Sequence, residues 1–168
     1  MPPEEINGSL ENSRCRALIN IEFVLDRIDN ILRFIQNIIH LLNDIEESQE
    51  KDNFLTKMAS LKARAGFIKS AISDIGGKTI RILRVQRANP QMVVDILNKI
   101  SENIKEAENN LKEFKIILDQ LQGLTNYLKD RKQGARAFII NNLDNIDTNF
   151  NELKNYLIRF KEALGFRL

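Results

Sequence analysis

Residues 18–45 read LINIEFVLDRIDNILRFIQNIIHLLNDI, and this stretch decides the fold. Its apolar residues recur at alternating steps of three and four, which are positions a and d of a heptad repeat: Leu18, Ile21, Leu25, Ile28, Leu32, Ile35, Ile39 and Leu42. A third apolar row recurs every seven residues at position g: Val24, Ile31, Ile38 and Ile45. A two-stranded coiled coil needs only rows a and d, so three rows predict a helix that forms one wall of a multi-helix core.

Three further segments carry the same apolar rhythm. Together with the first they predict helices over about residues 13–47, 53–87, 90–132 and 135–164, after a flexible lead-in at residues 1–12. Pro90 suits the first turn of the third helix, with Asn89 as its N-cap. Gly134 can adopt the left-handed conformation that ends this same helix. Two adjacent glycines, Gly76 and Gly77, cost a helix about 2 kcal/mol relative to alanines, which predicts a kink or a break.

Four long helices with short connections predict an all-α protein. We expect an elongated antiparallel up-down-up-down four-helix bundle, with residues 13–168 as a single domain. Because a heptad does not specify which chain supplies the partner helix, the same pattern also fits helices that pack between chains, and the protein is a monomer or a homodimer. Phe34 and Leu41 lie outside the three rows of the first helix, where they either widen the core contact or form a small partner patch.

Composition limits the classes of protein that the chain can belong to. Its apolar share of 43% and charged share of 29% fit a soluble globular protein, and no run approaches the roughly 18 apolar residues of a membrane span. A formal net charge of +2 excludes polyanion binding by bulk charge. The acidic start at residues 1–5 lacks the apolar core of a signal peptide. The sequence leaves the compartment open: the protein lies at the cell surface if an upstream lipid anchor was removed, and in the cytoplasm otherwise.

The sequence carries no signature of catalysis. His40 is the only histidine, lies at an outward-facing b position and has no second metal ligand at a suitable spacing. Cys15 is the only cysteine, so there is no disulfide framework. The GGKT at residues 76–79 is only a fragment of a phosphate-binding loop, and no carboxylate occupies a core position of the heptads. We expect a non-enzymatic protein with no catalytic residues, no cofactor and no metal ion.

The most informative charged feature is a row of cations that recur every three residues near the end of the second predicted helix. No acidic residue lies between Asp74 and Asp95. The row therefore predicts a basic ridge on the helix, which consists of Lys78, Arg81, Arg84 and Arg87. Antiparallel packing places this helix end beside the starts of the first and third helices and the end of the fourth. We therefore expect nine cations to gather at one end, here called the basic pole: Arg14, Arg16, Lys78, Arg81, Arg84, Arg87, Arg159, Lys161 and Arg167.

Such a pole can bind an acidic protein surface, a sulfated polysaccharide or anionic lipid headgroups, or it can simply keep the helix ends hydrated. Nucleic acid is a poor candidate because no aromatic residue interleaves the ridge to stack on bases. The leading hypothesis is a protein-binding module with Arg81, Arg84 and Arg87 as anchors, since arginine is favoured at interface hot spots. One alternative is a bundle that binds anionic membranes or lipids. Another is an intracellular structural or assembly domain.

The residues at 98–105 (NKISENIK) and 141–146 (NNLDNI) show helices rich in Ile, Asn, Lys and Leu on a heptad frame. In this style, across all four predicted helices, the chain resembles the helical-bundle surface lipoproteins of Borrelia spirochaetes. The resemblance implies a lipid-anchored exterior protein whose charged helix faces bind a host protein, such as a component of complement or of the extracellular matrix. It implies no particular site residues.

Overall fold

The computed structural model describes the backbone from Pro3 to Phe166 and the side chains from Leu10 to Phe166. Between these limits the chain is all-α, which confirms the predicted fold class, and it forms five helices with no strand. The helices are α1 (Pro3–Asn43), α2 (Gln49–Val85), α3 (Pro90–Asp119), α4 (Leu124–Leu128) and α5 (Ala135–Ala163).

The bounds of the first two helices differ from the predicted ones. α1 begins at Pro3 rather than near residue 13, and proline is favoured in the first turn because its missing N–H needs no partner there. α1 ends at Asn43 rather than near residue 47. α2 begins at Gln49, because the Ser48 side chain caps it by accepting a hydrogen bond from the backbone N–H of Lys51.

The predicted helix at residues 90–132 is two helices. α3 ends at Asp119 and is followed by tight turns in which the backbone N–H of Leu121 donates to Leu118 and that of Leu124 donates to Leu121. Turns of three residues bring side chains at steps of three to the same side. Between residues 118 and 127 the apolar residues recur every three residues, and these four side chains are all buried: Leu118, Leu121, Leu124 and Tyr127.

Of the kink or break predicted at Gly76 and Gly77, the break does not occur, because α2 runs continuously from Gln49 to Val85. Gly76 is buried where α1 crosses α2, and a Cβ added to it would lie 3.3 Å from Cγ2 of Ile21. Gly77 faces open space. Tertiary packing of α2 therefore outweighs the low helix propensity of the two glycines.

α1 is packed on two sides, against α2 and against α5, while α2 also packs against α3 and α4 against α5. Rows d and g of α1 are fully buried, whereas row a is half-buried. Rows d and g alternate by the same steps of three and four as rows a and d. The centre of the buried face of α1 therefore lies between rows d and g, and not between the predicted rows a and d. Phe34 and Leu41 are half-buried against this core and widen its contact.

Paired asparagines lie between α1 and α5. The Nδ2 of Asn30 donates to Oδ1 of Asn149 at 3.2 Å, and seven residues further along α1 the Nδ2 of Asn37 donates to Oδ1 of Asn142 at 3.1 Å. Asn142 is only 2% exposed and also donates to the backbone carbonyl of Phe138. Polar pairs inside an apolar seam favour one register of the two helices, because a shift would take Asn37 away from the buried amide of Asn142.

The two glycines of α2 allow two stability tests that should differ in sign. Gly77→Ala should raise the free energy of unfolding by about 0.5–1 kcal/mol, because alanine loses less backbone entropy and its methyl group enters open space. Gly76→Leu should lower it by about 1–3 kcal/mol, because the side chain overpacks the contact with Ile21. Urea denaturation followed by circular dichroism measures both changes. A Gly76→Leu variant as stable as the natural protein would contradict the close approach of α1 to Gly76.

Candidate functional site

The predicted basic ridge crosses the outer face of α2. A step of three residues rotates a side chain by about 60° backwards around a helix, so successive cations move from one neighbouring helix towards the other. Lys78 donates to Asn103 and Arg81 contacts the Sδ of Met92 at 3.9 Å, and both of these partners are on α3. Arg87 lies at the opposite side, where it pairs with a residue of α1. Arg84 is exposed between them.

The α1 end of the basic ridge is largely neutralised. Arg87 forms an ion pair with Glu11 at 2.7 Å. Arg14 is half-buried and donates to the side chain of Gln86. Burial lowers the pKa of the Arg14 guanidinium, and the charge of Glu11 raises it. Glu11 thus compensates two of the nine predicted cations. Arg81 and Arg84 form no ion pair with any carboxylate side chain between Leu10 and Phe166.

A second part of the predicted pole lies between α1 and α5. Arg16 and Arg159 line one small recess of about 300 Å³ together with Glu162. Arg16 donates to the hydroxyl of Ser13 at 3.1 Å, and the guanidinium of Arg159 lies 5.4 Å from the ring centre of Tyr156. The structure therefore brings together these two residues, which are far apart in sequence, as the antiparallel packing argument predicted.

The remaining two predicted residues do not join either group. Lys161 forms an ion pair with Glu108 of α3 at 3.0 Å, and its side chain is only 17% exposed. Arg167 lies outside the described residues. The basic pole thus consists of the ridge on α2 and the recess between α1 and α5, while Lys161 belongs to a different surface feature.

That feature is a groove between α3 and α5, which sequence reasoning missed. These two helices approach each other less closely than the other neighbouring long helices do, and they leave a groove of about 600 Å³. Beneath it the rings of Phe114 and Phe150 stack with their centres 5.2 Å apart. The apolar lining consists of Leu111, Ile116, Phe150, Leu157 and Ile158. The charged lining consists of Glu108, Lys112, Lys115, Lys154 and Lys161.

A signal for the groove exists in the sequence. Ile116 and Ile158 are apolar residues outside the heptad rows, and their side chains are 52% and 42% exposed. Each follows a lysine by four residues, Lys112 on α3 and Lys154 on α5, so each isoleucine lies beside a cation on the helix surface. Both groove walls therefore carry an exposed isoleucine beside a lysine.

Two ion pairs connect the walls of the groove. One is the Lys161–Glu108 pair, and the other joins Nζ of Lys115 to Asp147 at 3.6 Å. Lys115 also pairs with Asp119 on its own helix at 3.1 Å. The hydrogen bond to Asp119 raises the pKa of the Lys115 amine, and burial lowers it to a smaller extent. Lys115 therefore stays charged throughout the physiological range of pH.

The two ion pairs should differ in strength. The coupling energy between Lys161 and Glu108 should be about 0.5–1 kcal/mol, because the lysine is mostly shielded from water, and that between Lys115 and Asp147 should be near zero, because both are half-exposed. Double-mutant cycles with Lys→Met and Glu→Gln or Asp→Asn substitutions measure both energies from urea unfolding. A larger coupling for the Lys115–Asp147 pair would contradict this ranking.

Other reactive side chains are scattered over the surface. His40 and Cys15 are both exposed, and residues 3–166 contain no cluster of three or more His, Cys, Asp or Glu side chains that could hold a metal ion. Within the same range no helix is long and apolar enough to cross a membrane. Comparison of the chain with protein-family models, with curated proteins and with solved structures gave no match.

Proposed function

We propose that the protein is a non-enzymatic helical module that binds an acidic surface of another protein through Arg81 and Arg84 of the basic ridge. One observation carries the proposal. Both arginines are exposed on the outer face of α2 and lack a carboxylate partner among the described side chains. An exposed arginine that has no carboxylate partner in its own chain can form charge-assisted, bidentate hydrogen bonds with a carboxylate of another protein. Arg87 is a weaker anchor because Glu11 already pairs with it.

We also propose that the four long helices form a single antiparallel up-down-up-down bundle, with α4 as a short turn of helix before α5. The order of the contacts supports this topology, because residue numbers fall along one helix as they rise along its neighbour. The pairs for α1 with α5 are Asn30–Asn149 and Asn37–Asn142, those for α1 with α2 are Asp29–Lys69 and Gln36–Lys62, and those for α3 with α5 are Glu108–Lys161 and Lys115–Asp147.

Apolar surface beside the arginines favours a protein partner over a lipid headgroup or a sulfated polysaccharide. Ile80 is 43% exposed and lies one turn before Arg84 on the same face of α2. Protein interfaces combine arginine with a desolvated apolar centre, whereas polyanions need cations alone. The resemblance to Borrelia surface lipoproteins suggests host complement or matrix proteins as candidates to be tested. Anionic membranes and assembly between copies of the chain are the alternatives.

A pair of charge-reversal variants tests the proposal. Arg81→Glu/Arg84→Glu should weaken binding of a fluorescent peptide rich in Glu and Leu by about tenfold or more, because each arginine supplies a charge-assisted contact. The matched control is Lys99→Glu/Lys129→Glu, which reverses two exposed cations elsewhere and changes the net charge equally. Fluorescence anisotropy at low and physiological salt measures the affinity, and circular dichroism checks the fold.

The other outcomes separate the alternatives. Equal weakening in both double variants would show that net charge rather than the ridge governs binding, and would overturn the proposal. Co-sedimentation with anionic vesicles, without binding of the peptide, would favour the membrane reading. A concentration-dependent dimer that is lost in the Arg81→Glu/Arg84→Glu variant, measured by light scattering, would favour the assembly reading.

A further inference from the structure

The groove between α3 and α5 carries an inference that is independent of the basic ridge. We propose that this groove binds a free long-chain carboxylate, that is, a fatty acid, with the acyl chain on its apolar floor and the carboxylate between Lys112 and Lys154. The volume of about 600 Å³ falls within the roughly 300–1,000 Å³ that sites for small ligands occupy.

The floor of the groove is the surface of the hydrophobic core. Leu111, Phe150 and Leu157 line it, and they are 7%, 2% and 3% exposed. Ile116 and Ile158 stand at the two edges and are about half exposed. An acyl chain that lies along this floor would remove apolar surface of both isoleucines from water, and each buried methylene group of the ligand contributes about 0.8 kcal/mol.

The lysines give the groove a positive charge that matches an anionic head group. Lys115 and Lys161 are paired with carboxylates, whereas Lys112 and Lys154 form no ion pair with any described carboxylate side chain. On both helices the free lysine lies between the two ion pairs that connect the walls. The ammonium of Lys154 lies 5.2 Å from the ring centre of Phe150, directly above the apolar floor. Free cations and apolar floor therefore occur at the same place.

The dimensions favour a single chain over a partner helix. The two wall-to-wall ion pairs are seven residues apart on α3 and fourteen residues apart on α5, which is about 10 Å and about 21 Å along the two helices. An α-helix with its side chains is about 10 Å across, so even 10 Å of its length fills about 800 Å³. That is more than the groove offers. A second copy of the protein is also disfavoured as the occupant, because two such grooves would place like charges face to face.

Binding can be measured with cis-parinarate, a fluorescent fatty acid whose emission rises in an apolar site. The full chain should bind one parinarate saturably, hexadecanoate should displace it, and the uncharged methyl ester of hexadecanoate should displace it at least about tenfold less well. Lys112→Glu/Lys154→Glu should weaken parinarate binding about tenfold or more, because the carboxylate would meet two like charges. Ile116→Ser/Ile158→Ser should weaken it through the acyl chain while the lysines stay in place.

Two controls make the result specific. Lys99→Glu/Lys105→Glu reverses two exposed lysines of α3 outside the groove and should leave the affinity within about twofold of that of the natural chain. Arg81→Glu/Arg84→Glu should also bind parinarate normally, so failure of the ridge proposal and of the groove proposal can be told apart. The groove proposal is overturned if the natural chain does not bind parinarate, if the Lys112→Glu/Lys154→Glu variant binds it unchanged, or if anionic vesicles are bound but the free fatty acid is not.

Discussion

Burial of α1 on two sides is the constraint on which the rest of the structure depends. Ile28, Ile31, Ile35 and Ile38 are all 0% exposed, and α1 packs against both α2 and α5. Each fully buried isoleucine stabilises the fold by about 1.5–3 kcal/mol, so the rows of α1 form the part of the core that is costliest to disturb. Once α2 and α5 are fixed on α1, α3 is placed by its packing against α2. The seam between α3 and α5 then closes only as far as the side chains between them allow.

The side chains that lie between neighbouring helices differ from one seam to the next, and the seam between α3 and α5 stays open. Where α1 meets α2, Gly76 presents no side chain to Ile21, and the two backbones come close. Where α3 faces α5, the stacked rings of Phe114 and Phe150 occupy the space between the helices. The edges of the two helices are then connected by ion pairs between long lysine side chains and carboxylates, and not by close apolar contacts. The groove therefore lies at the seam that carries the two stacked phenylalanines, and its lysines surround this opening.

Periodicity predicted the fold class and the four long helices because both depend on the pattern of apolar residues within each segment. It failed where the deciding contact is distant in sequence. The cost of Gly76 in a helix is local, but Ile21, which makes that glycine useful, belongs to another helix. The position of Lys161 near the end of α5 predicts that it belongs to the basic pole, whereas its ion pair with Glu108 of α3 places it at the groove. A heptad pattern also does not predict which two neighbouring helices will pack less closely than the others.

The two candidate surfaces have one chemical feature in common. On α2, Ile80 lies four residues before Arg84; on α3, Lys112 lies four residues before Ile116; on α5, Lys154 lies four residues before Ile158. Residues four apart on a helix are neighbours, so each pair combines an exposed isoleucine with a cation that has no carboxylate partner among the described side chains. A surface that only keeps a helix soluble needs the cation but gains nothing from the isoleucine. A ligand that is both anionic and apolar makes use of both.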